Sequence, residues 1–214
     1  MFGYSPRRFA RAPVRCFARA AVKFGRSCQG VAAVEFAMLA PLLVLMVFGT
    51  FEVSRAVLAH KRFQHAVAMV GDLVAREQHL GTDQASADDA LAGIVKSAEH
   101  AMLPFSAAPL KIGIYSIRAH STIANSNRVE WSYSYNGKAV QAKCASKNPP
   151  ASGMMTPGNA VVMVEANYTY TPVLAGLIPG FTAPLPYSDV MTYSPRNSCV
   201  DYAGQNCVLA CPGW

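Results

Sequence analysis

Apolar residues form one unbroken stretch near the start of the chain. No charged residue occurs between Phe36 and Phe51. At about 1.5 Å per residue, these residues make a helix of about 24 Å, short of the roughly 30 Å hydrocarbon layer of a bilayer. Extension to residues 31–53 gives about 34 Å, which is enough to cross it. The pattern therefore predicts a transmembrane helix over residues 31–53.

The helical period continues beyond this stretch. Apolar residues recur at helical spacing, with charged residues off the stripe: Ala56, Phe63, Val67, Val70 and Val74. Such a stripe is typical of a helix face that packs on a core or a partner. We predict one long helix from the membrane to about Glu77.

A second amphipathic helix is predicted before Pro104, which ends it. Ser86 is followed three residues later by Asp89, the spacing of a capping box. One face of this helix is apolar: Leu91, Ile94, Val95, Ala98 and Met102. Residues 54–104 are therefore predicted to form a helical region.

The period then changes to two residues, the alternation of a strand with one buried face. The predicted strands are Leu110–Ile114, Val129–Tyr135, Val162–Tyr170 and the less regular Tyr187–Tyr193. Asn136 and Gly137 favour a tight hairpin turn into Lys138–Ala142. Helices first and strands second predict an α+β fold with an antiparallel sheet packed on helix. Residues 105–214 would form this β-rich domain.

Positive charge is concentrated at the N-terminus. Residues 1–30 hold seven Lys and Arg and no acid, whereas residues 31–214 hold twelve of each sign, so the net +7 comes entirely from the first thirty residues. A protein that binds nucleic acid carries a basic patch on its folded body, so we predict no nucleic-acid partner. A basic tail before a membrane helix stays cytoplasmic. Residues 1–30 are therefore predicted to be a cationic leader.

The junction between leader and helix carries a recognisable motif. Gly30 is followed by Val31, and Glu35 and Phe36 stand five and six residues after the glycine. This spacing resembles a type IV prepilin processing site. The wider stretch of residues 30–55 resembles the TadE-like family, in which AVEFA, a proline, a leucine-rich run, a glutamate and an arginine follow in register. The corresponding positions here are 33–37, Pro41, 42–47, Glu52 and Arg55.

The resemblance implies a pilin-like fold and a non-enzymatic role as a minor pseudopilin or assembly component of a Tad-type (Flp) adhesive pilus. A prepilin peptidase would cut between Gly30 and Val31 on the cytoplasmic side. The mature protein would cross the bacterial inner membrane once, with its C-terminal domain in the periplasm. Its other partners would be Tad pilins and pseudopilins and the inner-membrane platform. Entry into the filament stays open.

Glu35 is a candidate assembly residue because a carboxylate inside a membrane helix is costly. Cleavage would create an α-amine on Val31 with an ordinary pKa of about 8. In a low-dielectric bundle, that cation could pair with Glu35 of a neighbouring subunit and reduce the penalty on both charges.

Two alternatives compete with this interpretation. The first is a signal-anchored periplasmic adhesin or binding module that is not cleaved at Gly30. The second is a secreted enzyme released after about Ala59, because Val57-Leu58-Ala59 resembles a weak signal-peptidase site. The N-terminal residue of the mature chain distinguishes all three.

The cysteines divide by location. Cys16 and Cys28 lie in the predicted leader, and four others lie beyond the membrane helix: Cys144, Cys199, Cys207 and Cys211. In an oxidising compartment these four favour disulfides, with three connectivities open. A bridge that includes Cys144 would tie the tail to the hairpin region. Zinc is the less favoured alternative, because its usual CxxC pairs and a nearby histidine are missing from the sequence.

No HExxH, P-loop, GxGxxG or GxSxG pattern occurs in the sequence. We therefore predict no catalytic residue, no cofactor and no metal site.

Overall fold

The computed structural model describes residues 29–123, 126–150, 152–174, 183–208 and 211–212. The chain divides into two units, one ending at Gly49 and one beginning at Thr50. The predictions about residues 1–28, including the leader, Cys16 and Cys28, lie outside the described residues.

Helix α1 runs from Gln29 to Arg76, 48 residues, and contains Pro41. A proline lacks the backbone N–H that would bond to the carbonyl four residues earlier, so the Ala37 carbonyl loses that partner. From Thr50 onward, α1 belongs to the second unit, and the predicted stripe is buried there: Ala56, Phe63, Val67, Val70 and Val74. The prediction of one helix reaching about Glu77 is confirmed.

Helix α2 spans Gln84–Ala101, and its N-cap is Asp83 rather than Ser86. The Asp83 side chain accepts a hydrogen bond from the Ser86 backbone N–H at 2.8 Å, and Ser86 Oγ accepts one from the Asp83 N–H at 3.2 Å. The capping box is therefore formed three residues earlier than predicted, because Ser86 occupies the third helical position instead of the cap. The backbone N–H of Ser86 also lowers the pKa of the Asp83 carboxyl.

The C-terminal part forms a four-stranded antiparallel sheet of β2 (Lys111–Ala119), β3 (Asn127–Tyr135), β4 (Ala160–Tyr170) and β5 (Leu185–Tyr193). Its spatial order is β3-β2-β4-β5. A short parallel pair joins β1 (His79–Leu80) to β6 (Asp201–Tyr202), and a 3₁₀ turn spans Ser152–Met154. The predicted α+β class with a C-terminal antiparallel sheet is confirmed.

One face of the sheet packs on the helices. Phe63 of α1 stacks on Tyr168 of β4 with ring centroids 6.0 Å apart, and Tyr168 stacks on Tyr187 of β5 at 6.3 Å. The buried face of α2 joins the same core through Ala87, Leu91, Val95 and Ala98.

The other face of the sheet is covered as well. A second apolar cluster there contains Tyr115, Ile117, Val129, Val161 and Met163, and Val140 and Met155 pack onto it. The central strands β2 and β4 are consequently buried on both faces, which their sequence alternation did not indicate.

The predicted hairpin turn forms, but the strand after it does not. Asn136 and Gly137 have φ of 52° and 69°, as a tight hairpin turn requires. Residues 138–142 then run without strand structure. Val140 lies against the sheet face at Gly113, where an added Cβ would come within 3.0 Å of Val140 Cγ1. Because the segment crosses the face instead of following the edge of β3, the prediction of a strand over Lys138–Ala142 is wrong.

Candidate functional site

The first unit is an exposed apolar helix. From Val31 to Phe48 every side chain is exposed except that of Ala40, which is half-buried. The most apolar 18-residue window of α1 has a mean hydropathy of 2.4, and none of it is buried in the molecule. In the part of the chain that the structure describes, α1 is the single helix whose length and composition suit a membrane span.

The predicted processing residues occupy the first two turns of α1. Val31 and Phe36 are 60% and 65% exposed, and a Cβ added to Gly30 would meet nothing within 4 Å. The Gly30–Val31 peptide is therefore not shielded by any described residue. Val31 and Glu35 are four residues apart, which places them on one face of the helix.

Glu52 lies inside the second unit, fully buried. Its carboxylate accepts hydrogen bonds from the Tyr170 hydroxyl at 2.8 Å, the Val173 N–H at 3.0 Å and the Leu174 N–H at 3.3 Å. A buried carboxylate is tolerated only when such partners replace water. Glu52 is thus the first fully buried side chain along α1 after its exposed apolar segment.

Arg55 lies one turn later, between two aromatic rings. Its guanidinium carbon is 5.8 Å from the Phe51 ring centroid and 5.7 Å from that of Phe105, a cation–π geometry. The ring of Phe105 in turn meets Tyr170 edge to face at 6.1 Å. Burial, together with the hydrogen bond to Glu52, raises the pKa of the Tyr170 hydroxyl, so it stays protonated and donates.

Sequence reasoning missed this Glu52–Arg55–Tyr170 cluster. The glutamate and arginine were visible as the last two positions of the TadE-like pattern, and their three-residue spacing puts them on neighbouring positions of one helix face. Tyr170 gave no such signal, because it lies more than a hundred residues away and reaches Glu52 only through the sheet.

The four cysteines beyond α1 come together in two pairs. Cys144 bonds to Cys211 and Cys199 to Cys207, with Cα–Cα distances of 5.6 and 6.2 Å. The Cys144–Cys211 bridge ties the tail to the segment that follows the hairpin turn, which is one of the three connectivities that the sequence left open. Within the described ranges, no group of three or more His, Cys, Asp or Glu side chains could hold a metal ion.

Comparison with known proteins agrees with the N-terminal motif. Residues 30–72 match the family model described as TadE-like protein. Neither a curated protein nor a solved structure matches the chain. The matched segment contains the exposed helix, the Glu52–Arg55 pair and most of the buried stripe of α1. Residues 30–72 are therefore similar to the TadE-like family, as the motif from Gly30 to Arg55 predicted.

Proposed function

We propose that this protein is a non-enzymatic minor pseudopilin that serves assembly of a Tad-type (Flp) adhesive pilus from the bacterial inner membrane. One observation carries the proposal: the TadE-like match begins at Gly30, in the first turn of the described part of α1, and covers both the exposed apolar segment of that helix and most of its buried stripe. Its partners would be a prepilin peptidase, the other Tad pilins and pseudopilins, and the inner-membrane platform.

The proposed processing step is hydrolysis of the Gly30–Val31 peptide. The exposure of Gly30 and Val31 supports it, because a protease needs access to the backbone. Removal of seven basic residues would leave the helix with an apolar end, free of the charges that hold it at the cytoplasmic surface.

A secreted form released after Ala59 fits the structure poorly. Ala56 and Ala59 are buried in the core of the second unit, and α1 passes through them without a break. A cut there would also remove Glu52 and leave the Val173 and Leu174 N–H groups without their acceptor.

The decisive experiment is to sequence the N-terminus of the protein purified from native membranes. Val31 as the first residue supports the pseudopilin. An intact Met1 would favour the signal-anchored adhesin or binding module, and a start near His60 would favour the secreted enzyme.

A matched pair of variants tests recognition of the glycine. Gly30→Val should abolish cleavage, because a peptidase that reads this position needs the small residue, while Gly49→Val in the same helix should be cleaved normally. An added Cβ meets nothing within 4 Å at either position, so misfolding does not confound the comparison. Normal cleavage of Gly30→Val would contradict the proposed site.

Glu35 is proposed to pair with the Val31 α-amine of a neighbouring subunit during assembly. Glu35→Gln should leave membrane insertion and cleavage intact and reduce pilus formation, because the cation loses its charged partner. Glu77→Gln, an exposed position near the end of α1, is the control. Normal piliation by Glu35→Gln would exclude this role.

A further inference from the structure

We propose that the folded body also binds the lipid interface, through an apolar collar around the point where α1 leaves the membrane. The collar consists of Phe51, Val53 and Val57 of α1, Leu103 of the α2–β2 loop and Val173 of the β4–β5 loop. These side chains are 51%, 46%, 55%, 59% and 60% exposed, respectively. The inference rests on the proposed function, because it requires α1 to span the bilayer.

Helix length sets the depth of the collar. The 21 residues from Val31 to Phe51 rise about 32 Å, close to the roughly 30 Å thickness of the hydrocarbon layer. Phe51 then stands at the boundary of the hydrocarbon, and Val57 lies about 9 Å farther along the helix. Side chains next to residues 51–57 of α1 therefore lie at the level of the lipid headgroups.

Specific contacts hold the two loops at this level. The Glu52 carboxylate accepts the Val173 N–H at 3.0 Å, which fixes the start of the β4–β5 loop beside the first turn of α1 in the body. The Arg55 guanidinium lies between the rings of Phe51 and Phe105, which fixes the α2–β2 loop. Leu103 is two residues from Phe105 in the same loop, so this contact also holds Leu103 in position.

The composition of both loops suits lipid. No Lys, Arg, Asp or Glu occurs from residue 101 to 110 or from residue 171 to 188. Exposed apolar patches of this kind mark a membrane or protein interaction site. Lipid is the occupant that fits, because the collar surrounds the helix that enters the bilayer.

Tryptophan scanning of the full processed chain in phospholipid vesicles tests the proposal. Leu103→Trp and Val173→Trp are compared in vesicles with and without brominated acyl chains, which quench tryptophan at the membrane. The signal of the unsubstituted protein, which has two tryptophans, is subtracted. We expect the added tryptophan to lose at least half its emission in brominated vesicles at both collar positions.

Ile123→Trp is the matched control. Ile123 is 57% exposed, almost the same as Leu103, but it follows the far end of β2. The nine residues of β2 span about 30 Å, so this tryptophan should keep its emission. Equal quenching at Leu103, Val173 and Ile123 would overturn the collar.

Leu45→Trp separates this inference from the proposed function. Strong quenching at Leu45 with none at the collar would overturn the collar alone. Absence of quenching at Leu45 would overturn the membrane span and the collar with it. A third outcome is that the emission of the collar tryptophans changes with protein concentration but is not quenched by brominated lipid. The collar would then bind a second copy of the chain, and the lipid proposal would be wrong.

Discussion

Glu52 shows how a charged side chain can remain at the edge of an apolar helix. Three donors from one distant segment surround its carboxylate: one hydroxyl and two backbone N–H groups. A charge-assisted hydrogen bond contributes more than a neutral one, and an unpaired buried donor costs about 1–3 kcal/mol. The carboxylate therefore stabilises the β4–β5 loop as much as the loop stabilises the carboxylate.

Replacement of Glu52 tests this view. Glu52→Gln keeps the shape but removes the charge and one acceptor oxygen, so we expect the free energy of unfolding to fall by about 2 kcal/mol or more. Denaturant unfolding of the purified protein in detergent measures the change. Glu77→Gln, which is exposed, should leave stability unchanged, and equal stability of the two variants would contradict the account.

For single residues, the sequence indicates the resemblance to a family but not the hydrogen bonds that these residues make. Gly30, Glu35, Glu52 and Arg55 stand out because they lie within one short stretch with a recognisable spacing. The donors to Glu52 cannot be recognised in the sequence. Two of them are backbone N–H groups, which every residue except proline has, and they meet Glu52 only when the end of β4 packs against α1.

The crossing of α1 over the sheet depends on a glycine. A Cβ on Gly71 would lie 2.1 Å from Cε2 of Tyr193, so the Tyr193 ring occupies the space that a side chain at residue 71 would need. Gly71 lies within the TadE-like match, near its end. The glycine thus leaves room for the Tyr193 ring of β5 against α1.

We expect Gly71→Ala to lower the free energy of unfolding by about 1–3 kcal/mol, the usual cost of overpacking a core. Gly93→Ala on α2 is the control, because a Cβ there meets nothing within 4 Å and alanine favours helix. The double variant Gly71→Ala/Tyr193→Ala should recover much of the Gly71 loss through non-additivity. Strict additivity in thermal unfolding would exclude the contact as the cause.

Most helices and strands could be predicted from the sequence, but the segments that pack on them could not. The buried stripe of α1 and the alternation in β3 and β4 gave the right structures because amphipathic periodicity records a buried face. The strand after Asn136-Gly137 failed because local turn chemistry fixes the reversal but not whether the returning chain pairs with an edge or crosses a face. The burial of both faces of β2 and β4 was not predicted for the same reason, because the sequence does not show that the chain after the turn covers the second face of the sheet.

The two disulfides cross-link the C-terminal region of the molecule. Cys144–Cys211 closes a loop with a sequence separation of 67 residues, and Cys199–Cys207 one of 8. Sequence placed all four cysteines beyond the membrane but left three pairings open, because pairing depends on how the tail folds back on the sheet. The charge pattern and the Gly30 motif predict a 30-residue leader, whereas no sequence pattern indicates how the tail returns to the sheet.

Chain-entropy arguments rank the two bridges. Loss of Cys144–Cys211 should cost about 4 kcal/mol and loss of Cys199–Cys207 about 2–3 kcal/mol, because the longer loop restricts the unfolded chain more. The variants Cys144→Ala/Cys211→Ala and Cys199→Ala/Cys207→Ala, unfolded in denaturant under non-reducing conditions, measure both costs. A larger loss for the shorter bridge would show that native packing, and not loop closure, dominates.

Because α1 is at once the exposed apolar helix and a central part of the core, the anchor and the body share one continuous backbone. Tension on the exposed segment of α1 would act on later residues of the same helix, where Phe63, Val67, Val70 and Val74 pack in the core with residues of the sheet. The backbone of α1 is helical from Gln29 to Arg76, so a load on its N-terminal part would be carried along one helix. The consequence is that a pull on the exposed segment of α1 would act on the buried residues of the same helix.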